Sequence, residues 1–121
     1  MNGKRVLVVD DDTGVCSVIQ AALEDEGFTV QAATGPGAVT LARSDPPDLI
    51  LLDLMMPALD GREIRQRLLA DPRTAKVPCV LMTAEDEIIR TAHELHTQGY
   101  LPKPFDLDDL IDLVRRETHD V

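Results

Sequence analysis

DLILLDLMMPALDG, residues 48–61, is the stretch whose reading decides the fold. Leu49 to Leu52 is a continuous apolar run, too short for a buried helix and without the alternation of a strand that has one wet face. It reads as a strand buried on both faces, the kind found in parallel sheets. Asp53 follows directly, and Pro57, Asp60 and Gly61 mark a turn beyond it. A carboxylate therefore stands where a buried strand emerges into a loop, the edge at which open α/β sheets bind ligands.

The same grammar recurs on both sides. Val6 to Val9 is a second apolar run, closed by Asp10, Asp11 and Asp12. Residues 13–26 carry Val15, Val18, Ile19, Ala22 and Leu23 at helical spacing, with Asp12 or Thr13 as cap and Gly27 suited to the left-handed position after the last turn. Phe28 to Ala33 predicts a weaker strand, and Pro36 to Ser44 a short helix with Val39 and Leu41. Beyond the central stretch, Ile64 to Leu69 predicts a helix and Val77 to Thr83 a fourth strand, with Pro78 near its start where a missing donor is tolerable. Glu85 to Thr97 (Ile88, Ile89, Ala92, Leu95) predicts a helix and Gly99 to Leu101 a short fifth strand. Asp106 to Glu117 predicts a last helix with acids at its start and Arg115 and Arg116 near its end, matching the helix dipole. Strands alternating with helices under the right-handed crossover rule give a parallel sheet covered on both faces.

The bulk numbers bound the function. A chain of 121 residues is expected to form a single domain, residues 1–121. Its net charge of −10 argues against direct nucleic-acid binding, which needs Lys and Arg to neutralise phosphates. No apolar run approaches the roughly 18 residues of a membrane span, and MNGKR runs into a strand with no secretory pattern, so the expectation is a cytoplasmic protein with no membrane contact. Cys16 and Cys79 fall inside apolar patterns and read as small buried hydrophobes.

Chemistry converges at one edge. Parallel strands bring Asp10 and Asp11, Asp53, Thr83 and Lys103 to the same side of the sheet. Three carboxylates at separations of ~4–6 Å repel one another by several kcal/mol, so a cation is called for. An all-oxygen set without Cys or His points to Mg²⁺ or a similar hard ion that keeps some of its waters. A carboxylate on such an ion, flanked by a hydroxyl and an ammonium, is equipped to attack phosphorus, with Asp53 as nucleophile.

VLVVDDD, LLDLMMPALDG, LMTA and YLPKPF, in this order and at these separations, closely resemble the receiver domain of two-component response regulators. The resemblance covers essentially the whole chain and implies the flavodoxin-like strand order 2-1-3-4-5. It implies that Asp53 accepts the phosphoryl group, and that Asp10, Asp11, Asp53 and the Met55 backbone carbonyl hold Mg²⁺. Thr83 becomes the switch hydroxyl, Ala84 its small neighbour, Lys103 the phosphate-contacting cation and Tyr100 the switch aromatic, with a cis Lys103–Pro104 peptide. It further implies a signalling switch that assists only its own phosphoryl transfer and dephosphorylation. Its partners would be a histidine kinase or phosphotransfer protein and a downstream effector protein or domain.

Two departures stand out. Thr83 and Lys103 are 20 residues apart, shorter than is usual in that family, so a truncated, reoriented or loosely held fourth helix is expected. Met55, two residues after Asp53, has the bulk to shield a phosphoryl group from water, unless Met55 and Met56 merely pack on the sheet. Three other readings carry less. A receiver-like interaction module working without phosphorylation is opposed by the intact site. A small aspartyl phosphatase would need a second Asp two residues after Asp53. His93 and His96 fall one residue short of the zinc-protease spacing.

Overall fold

The apolar runs become strands buried on both faces. In the computed structural model, which describes residues 3–34, 37–56, 59–84 and 86–119, they are β1 (Arg5–Val9), β3 (Leu49–Asp53) and β6 (Cys79–Thr83), joined by β2 (Thr29–Ala33) and β7 (Gly99–Pro102). All four pairings in this sheet are parallel, and the order is β2-β1-β3-β6-β7. Two-residue strands β4 (Met55–Met56) and β5 (Leu59–Asp60) form a separate antiparallel pair. With those two left out of the numbering, the order is the expected 2-1-3-4-5. The predicted turn after Asp53 is thus a tight ladder, Met55 opposite Asp60 and Met56 opposite Leu59.

Strand alternation sorts the core. Leu7, Val9, Ile50, Leu52, Cys79 and Leu81 point to one face, where they pack with Ala38, Val39, Ala42, Ile64, Leu68, Ala92 and Leu95. That face is covered by α2 (Gly37–Ser44), α3 (Gly61–Ala70) and α4 (Ile88–Glu94). Val6, Val8, Leu49, Leu51, Val80 and Met82 point the other way, onto Cys16, Ile19, Leu23, Leu110, Leu113 and Val114 of α1 (Thr13–Asp25) and α5 (Leu107–Thr118). Central strands buried on both sides explain the unbroken apolar runs.

Local chemistry sets the element ends. Asp12 caps α1, its Oδ1 accepting from the Val15 N–H at 3.1 Å. Gly27 takes φ 94° after α1, where only glycine avoids a Cβ clash. Both cysteines are buried free thiols, as expected.

Some expectations need correcting. Val18, Leu41 and Ile89, placed on apolar helix stripes, are 52%, 36% and 64% exposed. On α1 the buried positions are Cys16, Ile19 and Leu23, which leaves Val18 turned to solvent. The helix predicted over 64–69 begins earlier, at Gly61 with Asp60 as its cap, and the fourth strand starts at Cys79 rather than Val77. The fourth helix is short, as expected, spanning Ile88–Glu94 instead of 85–97. Pro36, Pro57 and Glu85, read as helix starts and a turn marker, lie outside the described residues.

Candidate functional site

The site is assembled by strand ends. Asp10 follows β1, its N–H donating to the Ala33 carbonyl at 3.2 Å, and Asp53 is the last residue of β3. Asp53 lies opposite Met82 in the register with β6, so Thr83 comes one step beyond it. The Lys103 N–H donates to the Thr83 carbonyl at 3.0 Å, and the Lys103–Pro104 peptide is cis, as expected.

Asp10, Asp11 and Asp53 each present a carboxylate oxygen within 4.8 Å of the others. Asp10 is fully buried, Asp53 is 4% exposed and Asp11 faces solvent. The Lys103 ammonium donates to Asp10 Oδ2 at 2.7 Å and to Asp53 Oδ2 at 3.2 Å. The opposite carboxylate oxygens are fixed by backbone: Asp10 Oδ1 accepts from the Asp12 N–H at 3.0 Å and Asp53 Oδ1 from the Met55 N–H at 3.0 Å. Both acids are therefore held in one orientation, open toward Asp11.

Burial dominates the electrostatics. It pushes the Asp53 carboxyl above its ordinary 3.8, against the pull of the Met55 N–H and of Lys103, and the Asp10 charge adds to the rise. Burial also works against the Lys103 ammonium. There the hydrogen bond to Asp10 and the charges of Asp53 and Asp10 win, leaving its pKa above 10.5. Three ionised carboxylates and one ammonium leave a formal −3 + 1 = −2 at the edge. One divalent hard cation would neutralise it, and an all-oxygen donor set with one solvent-facing member fits an ion that keeps some of its waters.

The other expected residues stand at different depths. Thr83 is fully buried at the end of β6, opposite Pro102 in the register, the residue before Lys103. Tyr100 lies on β7 opposite Leu81 and is 40% exposed, apart from the acid cluster. Met56 packs into the core, whereas the Met55 side chain is 59% exposed. An open groove of about 730 Å³ adjoins the site between α1 and the Lys103–Pro104 turn, lined by Val15, Val18, Ala84, Lys103, Phe105 and Leu107 among others.

Two contacts, those of Cys16 and Gly61, and one residue, Arg65, escaped the sequence reading. Cys16 donates its thiol hydrogen to the Asp10 carbonyl at 3.4 Å, tying α1 to the end of β1. Gly61 is pressed against Asp53, since a Cβ there would lie 2.5 Å from the Asp53 carbonyl oxygen and 2.6 Å from Leu54 Cα. Arg65 is buried although charged. Its spacing from Gly61 and Leu68 puts it on the inner stripe of α3, a signal available in the sequence.

A parallel doubly wound sheet with a buried acidic pair, an ammonium and a hydroxyl at the carboxyl edge defines a class: flavodoxin-like α/β proteins whose site lies at that edge. Residues 6–115 match the model of the response regulator receiver domain, and the chain belongs to that family. Such receivers are signalling modules of two-component systems, not classical enzymes. The chain is 34% identical over 119 residues to sporulation initiation phosphotransferase F of Bacillus subtilis, covering 96% of this chain and 94% of that one. It is 39% identical over 116 residues to the DNA-binding dual master transcriptional regulator RpaA of a Synechocystis strain, covering 92% of this chain. It spans only 47% of RpaA, and about half the length of several other regulators it matches. The receiver domain of a Pseudomonas aeruginosa sensor histidine kinase, solved with a magnesium ion coordinated in its active site cleft, superposes with a TM-score of 0.86 at 28% identity, covering 96% of this chain and 98% of that one. Among the described residues no helix is long and apolar enough to cross a membrane.

Proposed function

We propose that this receiver, taken as one domain over residues 1–121, accepts a phosphoryl group on Asp53 from a histidine kinase or phosphotransfer protein and thereby changes its partner-binding surface. The observation that carries this reading is the Lys103 ammonium seated between two buried carboxylates, at 2.7 Å from Asp10 and 3.2 Å from Asp53. A carboxylate buried so deeply is held ready and poorly solvated, which suits a nucleophile.

Asp10, Asp11, Asp53 and the Met55 carbonyl would hold Mg²⁺. When bound, the ion supplies charge neutralisation at the phosphoryl oxygens. This chain's residues do the rest. An Asp53 carboxylate oxygen attacks phosphorus, a P–O bond forms as the donor's P–N bond breaks, and the imidazole leaves with that electron pair. The Met55 N–H keeps Asp53 oriented through Oδ1. Lys103 already touches Oδ2 and stays with the charge as it moves onto the phosphoryl oxygens. Thr83 and Tyr100 are the switch residues in this reading. The product adds about −1.5 to −2 charges at a buried edge, a local change large enough to bias a two-state surface.

The groove flanked by Val15, Val18 and Leu107 extends to Lys103, which itself touches Asp53, so it offers a phosphodonor protein an approach to the site. RpaA carries a DNA-binding output in its name and is about twice the length of this chain. Here, output passes to an effector protein or domain, with no direct nucleic-acid contact by this acidic chain. Intact mass after incubation with acetyl phosphate and Mg²⁺ tests the reading. One phosphoryl mass is gained, and Asp53→Asn gains none. A wild-type chain that stays unmodified would leave the interaction module without phosphorylation as the function.

A further inference from the structure

Arg65 is 1% exposed, the largest of the fully buried side chains, and among the described residues no carboxylate is paired with it. Its guanidinium instead reaches from α3 to the end of α4. Nε donates to the Leu95 carbonyl at 3.0 Å and one terminal nitrogen to the His96 carbonyl at 2.7 Å, while the other terminal nitrogen is buried with no partner. A buried charge is tolerated only where dipoles or charges compensate it. The compensation here is the run of carbonyls at the negative end of a helix.

That helix needs the help. α4 has seven residues, and Glu87 at its start makes no side-chain capping bond. A helix this short is marginal without tertiary support. It buries Ile88, Thr91 and Ala92 and exposes Ile89, so few apolar contacts hold it. Its chain leaves through His96, a non-glycine residue at φ 54°, while the carbonyls on either side of that bend accept from Arg65. The other end of α3 is Gly61, whose Cα sits so close to the Asp53–Leu54 backbone that no Cβ fits. One rigid ten-residue helix therefore touches the acceptor strand at its first residue and grips α4 one turn later.

We infer that Arg65 is the clasp that fastens α4 to α3, and that α4 follows the state of Asp53 through this joint as well as through β6 and β7. This rests on the phosphorylation reading for what changes at Asp53, but the fastening itself does not. The geometry has three mechanical links in series: Gly61 on Asp53, the α3 rod, and the guanidinium on two carbonyls. A displacement of the β3 loop by a new charge tilts α3, and α4 must move with it or release the two bonds.

The test compares wild type, Arg65→Met and Arg65→Lys, all as the full chain. Met keeps most of the buried volume without donors; Lys keeps the charge and can hold one carbonyl. Amide hydrogen exchange is measured without ligand, and amide NMR shifts are measured with beryllofluoride and Mg²⁺. The expected result is exchange at residues 88–98 at least tenfold faster in Arg65→Met and less so in Arg65→Lys, with the amides of β1 and β3 unaffected. On beryllofluoride the amides around Asp53 respond in all three proteins, while the response at 88–98 falls below half of wild type in Arg65→Met. Unchanged exchange at 88–98, or a full α4 response in both variants, overturns the inference. Should Arg65→Met fail to fold, Arg65→Lys carries the same two readouts. A wild type that shows no beryllofluoride shift anywhere defeats the phosphorylation reading instead, and the exchange comparison still decides the clasp.

Discussion

The ammonium of Lys103 lies nearer to Asp10, at 2.7 Å, than to Asp53, at 3.2 Å. Asp10 is the more deeply buried of the two, so the cation answers first to the acid that water cannot reach. A divalent ion in the same cluster must share these carboxylates with it. Lys103→Met removes a like charge from the ion's neighbourhood, and Mg²⁺ should bind about tenfold more tightly. Phosphoryl transfer to Asp53 should nevertheless slow by roughly 10²-fold, because a donor aimed at the developing charge is gone. Calorimetry with Mg²⁺ and a mass time course with acetyl phosphate check the two halves. Weaker Mg²⁺ binding would mean that Lys103 orders the carboxylates more than it competes for them.

Gly61→Ala places a methyl 2.5 Å from the Asp53 carbonyl oxygen and 2.6 Å from Leu54 Cα. Both obstacles are backbone, so either β3 or α3 has to shift. Overpacking of this kind costs about 2–3 kcal/mol, a fall in Tm of roughly 10 °C for a chain of this size. Asp60→Ala is the comparison, since it removes the cap whose Oδ1 accepts from the Arg62 N–H at 2.9 Å, worth about 1 kcal/mol, and a solvent-exposed ion pair to the Arg62 guanidinium at 3.9 Å that adds little. Thermal unfolding of the two variants should rank them in that order.

Much of the fold was legible because the sheet is buried on both faces. Val6 to Val9, Leu49 to Leu52 and Val80 to Met82 have nowhere to put a polar side chain, and each is followed by a residue of the site. Asp10, Asp11, Asp53 and Lys103 could be placed together because parallel strands leave no other arrangement for their ends. What stayed hidden depends on backbone. Arg65 shows its place on the inner stripe by spacing, but the carbonyls 30 and 31 positions away that take two of its donors leave no mark in residue type. The Gly61 approach and the Met55–Asp60 ladder depend on how closely α3 seats on β3, a distance that no periodicity encodes. Val18 and Ile89 misled because an exposed apolar residue beside a buried stripe shares its spacing.

Both thiols should be inert in the folded protein. Burial raises the Cys79 thiol from 9.0 to about 11. Cys16 is raised by burial too, with the charges of Asp10 and Asp12 adding to the shift. At pH 8 neither cysteine should react with an aromatic disulfide reagent until denaturant is added, when both react. A thiol that holds its proton more tightly when folded costs nothing below its unfolded pKa. Above pH 9 the unfolded chain ionises while folded Cys79 does not, so stability falls as pH rises toward 11, by on the order of 2 kcal/mol for Cys79. Urea titrations at pH 7.5 and pH 10 measure the loss, and Cys79→Ala should flatten the difference.

His96 holds φ 54° with its side chain in solvent. A left-handed conformation costs an ordinary residue about 1 kcal/mol relative to glycine. His96→Gly leaves the carbonyl that Arg65 uses and relieves the strain, partly offset by the greater freedom of glycine in the unfolded chain. The expected net gain is about 0.5 kcal/mol, a Tm rise of a few degrees. A loss of stability would show that the imidazole itself contributes to the bend.

Met55 stands beside Asp53 with its side chain in the open. Its backbone N–H is committed to Asp53 Oδ1 at 3.0 Å, which fixes where the residue starts, while the side chain stands 59% exposed and outside the core. A flexible thioether tethered beside the acceptor can lie across it, and a water that would hydrolyse an acyl phosphate at Asp53 has to pass that apolar surface. Asparagine at the same position keeps the backbone bond but offers an amide that can hold a water in place. Met55→Asn should therefore shorten the lifetime of phosphorylated Asp53 several-fold without changing the extent of phosphorylation at early times. Mass decay after removal of acetyl phosphate measures the lifetime directly, and equal decay in the two proteins would remove Met55 from any part in it.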